Sequence, residues 1–228
     1  MLLSFVNNLY NYKIEKENDS MLDKYDLFCK ENPCEFSKEQ LNKLKHALEH
    51  TQNGLVCDEM VDFMLWTQDL KSRQEYFAEY VARIYPQSTY SRLLEVGCGQ
   101  RARLSKLLAS KGYIMCAIDP KVENCTEYVK CIKNYFTCET SISEYDALIA
   151  QEPCEATEPM IRLCAKEKKD FIISLCANPH PYPNGTIPKS AAEWYDYLEK
   201  IDSDHSIIIY PNLIPGFVTP IMLGMYKK

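Results

Sequence analysis

Two glycines one residue apart, Gly97 and Gly99, stand at the end of the apolar run Leu93-Leu94-Glu95-Val96. About twenty residues on, a second apolar run, Tyr113 to Ile118, ends in Asp119. Glycine turns the chain sharply and lets backbone approach a ligand with no Cβ in the way. The helix expected next, Ala102 to Ser110, aims its first unpaired N–H groups at whatever occupies the turn. A carboxylate at the end of the second strand can accept hydrogen bonds from both hydroxyls of a ribose. Strand, glycine turn, helix, strand, acid is the layout of a nucleotide site.

The elements that must position these residues are readable from periodicity. Residues 91–228 alternate strands and helices, with strands expected at Arg92–Val96, Tyr113–Ile118, near Tyr135-Phe136, at Ala147–Gln151, Phe171–Leu175, Ser206–Tyr210 and from Ile221 to Tyr226. The early strands are apolar throughout, as in a sheet covered on both faces. A helix opens at Thr157-Glu158-Pro159, with proline in its tolerated first turn, and another at the capping box Ser190-Ala191-Ala192-Glu193. Residues 1–90 read as a helical N-terminal cap: Ser37 to Gln40 form a capping box, and Leu41, Leu44 and Leu48 fall on one face. The periodicity resumes at Val61 and Leu65, continues through Phe77, Val81 and Ile84, and stops at Pro86. The expected fold is therefore α/β: a doubly wound, mostly parallel, Rossmann-like sheet with an N-terminal helical extension.

Bulk properties narrow the partners. With 228 residues and 46% apolar composition a sizeable core is available, and the net charge of −6 disfavours a nucleic-acid backbone or an anionic membrane as main partner. Met1 to Val6 is apolar but lacks the basic start of a targeting signal, and no run of about eighteen apolar residues exists, so a cytoplasmic location with no membrane partner is expected. No two of the eleven cysteines have the two-residue spacing of a zinc knuckle or a redox pair, so the thiols read as reduced packing groups and no metal is expected. His46 and His50 are spaced for a metal pair on a helix, but no third ligand stands at a telling distance.

In a doubly wound sheet the ligand sits outside the carboxyl ends of the strands. The residues there are Gly97, Cys98, Gly99, Gln100 and Arg101, then Asp119-Pro120, Cys138-Glu139, Gln151 to Glu155, and Cys176 to Tyr182. The string Glu95-Val96-Gly97-Cys98-Gly99 resembles the first motif of class I S-adenosylmethionine-dependent methyltransferases. The resemblance spans roughly residues 75 to 175. It implies S-adenosyl-L-methionine as cofactor, with Glu95 near its methionine part, Asp119 on the ribose and Glu139 near the adenine. Cys98, Pro120 and Gln151 complete the expected cofactor lining. Arg101 stands where the family usually has a third glycine. A cation there can reach the cofactor carboxylate, fill the pocket or hold a phosphate.

Candidates for handling the acceptor lie after the fourth and fifth strands. Glu152 can position or deprotonate an amine or hydroxyl, or can serve as a helix N-terminal acid. Asn178-Pro179-His180-Pro181-Tyr182 resembles the Asn-Pro-Pro-Tyr loop of methyltransferases acting on exocyclic amines, which in those enzymes follows the fourth strand. One reading makes it a wall of the acceptor pocket, with His180 as general base and Tyr182 beside it. The other makes it a stiff turn with a packed tyrosine. The expected function is methyl transfer to a small molecule. A cofactor-binding module without turnover and a nicotinamide-dependent oxidoreductase are the alternatives, the last requiring Ala102 as its third small residue.

Overall fold

Leu93 and Leu94 are neighbours on strand β1 (Arg92–Val96) and both are buried, yet they belong to different cores. Successive side chains on a strand point to opposite faces, so a sheet buried on both sides needs an unbroken apolar run. The computed structural model describes residues 71–123, 126–202, 207–210 and 219–226. The chain divides into two units, residues 1–73 and 74–228. The expected capping box at Ser37, the Leu41–Leu48 stripe and the His46/His50 pair lie outside the described residues.

One core joins helix α1 (Arg73–Ile84) and helix α2 (Arg103–Ser110) to the sheet through Phe77, Val81, Leu93, Leu104 and Leu108. By periodicity α1 continues the helical pattern of residues 1–90. Its apolar stripe is part of the sheet's own core. The other core joins helix α3 (Thr157–Glu167) and helix α4 (Ala191–Glu199) to the opposite face through Leu94, Met160, Ile161, Trp194 and Leu198.

The remaining strands are β2 (Ile114–Ile118), β3 (Val129–Ile132), β4 (Ala147–Gln151), β5 (Asp170–Ser174), β6 (Ile207–Tyr210) and β7 (Ile221–Gly224). Their order across the sheet is β3-β2-β1-β4-β5-β7-β6. The first five are parallel, and β7 runs antiparallel to both its neighbours. The winding reverses between β1 and β4, which is where a doubly wound sheet opens its crevice. Among the described residues this is a seven-stranded, Rossmann-like α/β sheet.

Two expectations need correction. The third strand was expected near Tyr135-Phe136, and it lies at Val129–Ile132. That strand is a half-exposed edge with Lys130 in its middle, so it has no apolar run to announce it. The thiols are also not uniformly reduced. Cys131 is disulfide-bonded, while among the described residues Cys98, Cys116, Cys138, Cys154, Cys164 and Cys176 are free. Spacing rules detect knuckles and redox pairs, not every crosslink.

At the antiparallel edge, Gly224 lies opposite Phe171 on β5. A Cβ on Gly224 would overlap the ring of Phe171, which is fully buried. Gly224→Ala should therefore lower stability by about 1–3 kcal/mol through overpacking. Urea unfolding reads this as a lower midpoint at constant slope. An unchanged midpoint would mean that the ring moves aside freely.

Candidate active site

The turn after β1 is built from conformations that favour glycine. Gly97 has φ +70° and Gly99 φ +63°. At Gly97 space is also short, because an added Cβ would lie 3.0 Å from Pro153 in the loop after β4. The Gly97 N–H donates to the Ile118 carbonyl (2.9 Å), tying this turn to the end of β2. Helix α2 begins at Arg103 rather than Ala102, because Ala102 is itself left-handed (φ 45°) and sits buried at the N-cap.

Asp119 organises the adjoining loop. Its Oδ2 accepts from the Gly99 N–H (3.0 Å) and its Oδ1 from the Lys121 N–H (2.7 Å). Each carboxylate oxygen carries more than one acceptor direction, so both can take a further donor. Gly97, Gly99, Asp119, Pro120 and Glu152 converge on one cavity of about 560 Å³, at the switch point between β1 and β4. Pro153, Cys154 and the pair Tyr135-Phe136 complete much of the wall.

Several expected residues stand outside this lining. Glu95 is 3% exposed and lies beneath the turn, where its Oε2 accepts from both the backbone N–H (2.8 Å) and the hydroxyl of Ser105 in the first turn of α2. Burial raises its carboxyl to about 7, against the opposing pull of the Ser105 hydrogen bonds. Cys98 is buried, its thiol donates to the Gly99 carbonyl (3.4 Å), and desolvation pushes its ionisation upward. Arg101 and Glu139 are exposed, and neither reaches the cavity wall. With β3 ending at Ile132, Glu139 is no longer the residue that follows a strand. Gln151 ends β4, and its Oε1 is buried with no hydrogen-bond partner.

The loop expected to handle the acceptor packs against the start of α4. Tyr182 packs against Trp194 and Tyr197, and its hydroxyl donates to Glu193 Oε1 (3.0 Å) at the start of α4. There Ser190 Oγ caps the helix by accepting from the Glu193 N–H (3.2 Å). Glu193 Oε2 accepts from the Lys189 N–H (3.0 Å), one residue earlier than a closed capping box would have it. His180 lies edge-on to Trp194. A ring nitrogen of His180, Cys154 Sγ and Cys176 Sγ all lie within 4.8 Å of one another.

That cluster joins the loops after β4 and β5. Glu152 (φ 52°) and Cys154 (φ 54°) both hold left-handed backbone, a strain concentrated at the turn that borders the cavity. The two sulfurs are 3.7 Å apart. Their hydrogen bond, helped by the nearby His180, holds the Cys176 thiol down at about 5, and the same bond pushes Cys154 upward. Sequence reasoning missed this cluster because Cys154 stands 22 residues before Cys176, on a different loop from Cys176 and His180. Only the pairing of β4 with β5 brings them together.

No helix among the described residues is long and apolar enough to cross a membrane. No family model matches the sequence, and no curated protein matches it. Among solved structures, the chain is similar to magnesium protoporphyrin IX methyltransferase from Synechocystis PCC 6803 with bound SAH, with a TM-score of 0.48 and 13% identity, over 84% of this chain and 96% of that one. It is similar to a TehB-like SAM-dependent methyltransferase from Corynebacterium glutamicum, with a TM-score of 0.45 and 12% identity, over 72% and 93% of the two chains. A SAM-dependent methyltransferase from Leishmania major gives a TM-score of 0.45 and 14% identity, over 73% and 77%.

Proposed function

We propose that this chain is an S-adenosylmethionine-dependent methyltransferase acting on a small-molecule acceptor. The observation that supports the reading is the convergence of Gly97, Gly99 and Asp119 on a single cavity of about 560 Å³. Sites for ligands of this size fall at about 300–1,000 Å³. Asp119 accepts hydrogen bonds from the ribose hydroxyls, and the glycine turn admits the nucleoside without steric conflict. Tyr135 and Phe136 offer an aromatic wall for the base. Pro120 borders the same cavity. Glu95 acts from below as a positioning residue, fixing the first turn of α2 through Ser105.

The cofactor, when bound, supplies a methyl group on a sulfonium, and the transfer is an in-line displacement. The chain's own work is orientation and exclusion of water. Glu152, on the cavity wall after β4, orients an acceptor amine or hydroxyl. Isothermal titration of the purified chain with S-adenosylmethionine and with S-adenosylhomocysteine tests the reading. Saturable one-to-one binding of both is expected, and heat traces without binding for either would remove it.

A further inference from the structure

We propose that Cys154, Cys176 and His180 form a binding site for one zinc ion, with a fourth coordination position left open beside the cavity. The three side chains offer two sulfurs and one imidazole nitrogen, a donor set suited to a borderline-soft divalent cation. Two thiolates and a neutral imidazole balance the charge of a divalent ion to zero. Zinc–sulfur bonds of about 2.3 Å in a tetrahedron place two sulfurs roughly 3.8 Å apart. The observed separation is 3.7 Å, whereas a disulfide would need about 2.05 Å.

The surroundings hold the donors in place. The Tyr195 hydroxyl donates to the Cys176 carbonyl (2.8 Å), and the His180 ring is seated against Trp194. The Nε2 of His180 is buried with no hydrogen-bond partner. An imidazole serving only as filler would normally satisfy that atom. Three protein ligands leave a tetrahedral ion one exchangeable position, the arrangement of catalytic rather than structural zinc. Cys154 belongs to the cavity wall, so the ion would stand at its edge. Binding displaces the thiol protons, so uptake releases acid.

The test uses the full chain, reduced with a phosphine, desalted and titrated with cobalt(II) as a spectroscopic substitute. Saturation at one equivalent is expected, with the visible bands of tetrahedral cobalt, a thiolate-to-cobalt charge-transfer band, and loss of both on adding zinc. Cys154→Ser, Cys176→Ser and His180→Ala should each weaken uptake by on the order of 100-fold or more. Cys138→Ser, at an exposed free thiol, should leave uptake unchanged. No stoichiometric uptake by the reduced chain, or folded cluster variants that bind as tightly as the parent, would overturn the proposal. A second readout needs no variant: peptide mapping after alkylation should show zinc protecting Cys154 and Cys176 while Cys138 stays labelled. Equal labelling with and without zinc also overturns it. All these measurements omit S-adenosylmethionine, so this site and the methyltransferase reading stand or fall separately.

Discussion

Asp119→Ala should weaken S-adenosylmethionine binding by on the order of 100-fold, about 3 kcal/mol, while the far-ultraviolet circular dichroism stays that of the parent. The carboxylate already accepts from the Gly99 and Lys121 backbone N–H groups, which holds its two oxygens at the cavity wall. Two ribose hydroxyls donating to a charged acceptor contribute about 1.5–3 kcal/mol each in net terms. Part of the loss would come from the turn, because the Gly99 N–H loses its acceptor. Asp119→Asn separates the two contributions. Its amide oxygen can still accept from Gly99, but it offers one acceptor where the carboxylate offers two, so its affinity should fall between parent and alanine variant. Titration calorimetry on the three proteins decides. An alanine variant that binds as the parent does would place the ribose elsewhere.

What the sequence disclosed about this site follows from how the sheet is buried. Strands β1 and β4 have their expected ends, and β2 and β5 differ from expectation by one residue, because each is an apolar run covered on two faces. Residues directly after such strands fall at the crevice by geometry, which is why Gly97, Gly99, Asp119, Pro120 and Glu152 meet at one cavity. The edge strand β3, interrupted by Lys130, gives no such signal. With β3 at Val129–Ile132, Tyr135 and Phe136 stand on the cavity wall and Glu139 does not. Side-chain direction was also illegible. Glu95 has a motif position that suggests a ligand contact, but its carboxylate is turned onto Ser105. The Cys154, Cys176 and His180 cluster was hidden for a different reason: Cys176 and His180 share a loop, but Cys154 joins them from another, and proximity across loops leaves no spacing to read.

Glu95→Gln should raise stability at pH 8 by about 3 kcal/mol and leave it near the parent's at pH 4, so the two stability curves diverge with pH. The carboxyl is fully buried, and burial raises it from 4.5 to about 7 in the folded chain. Between those values the unfolded chain has released a proton that the folded chain still holds. Stability of the parent therefore falls as pH rises through that window, by about 1.4 kcal/mol per pH unit from this one group. Below about 4.5 both states are protonated and the contribution vanishes, and above about 7 both are ionised and the penalty is constant. Glutamine fills the same space and can accept from the Ser105 N–H, yet carries no charge to desolvate. The quantity to measure is the difference in unfolding free energy between variant and parent, taken from urea curves at several pH values. Other titrating groups cancel in that difference as far as the substitution leaves them alone. A difference that stays flat from pH 4 to pH 8 would mean that Ser105 and the α2 N-terminus hold the carboxylate ionised inside the core at no net cost. The penalty would then have to be absent from the folded chain, and the α2 N-terminus would rest on a charge–dipole contact with an ionised Glu95 rather than on a buried acid that prefers its proton.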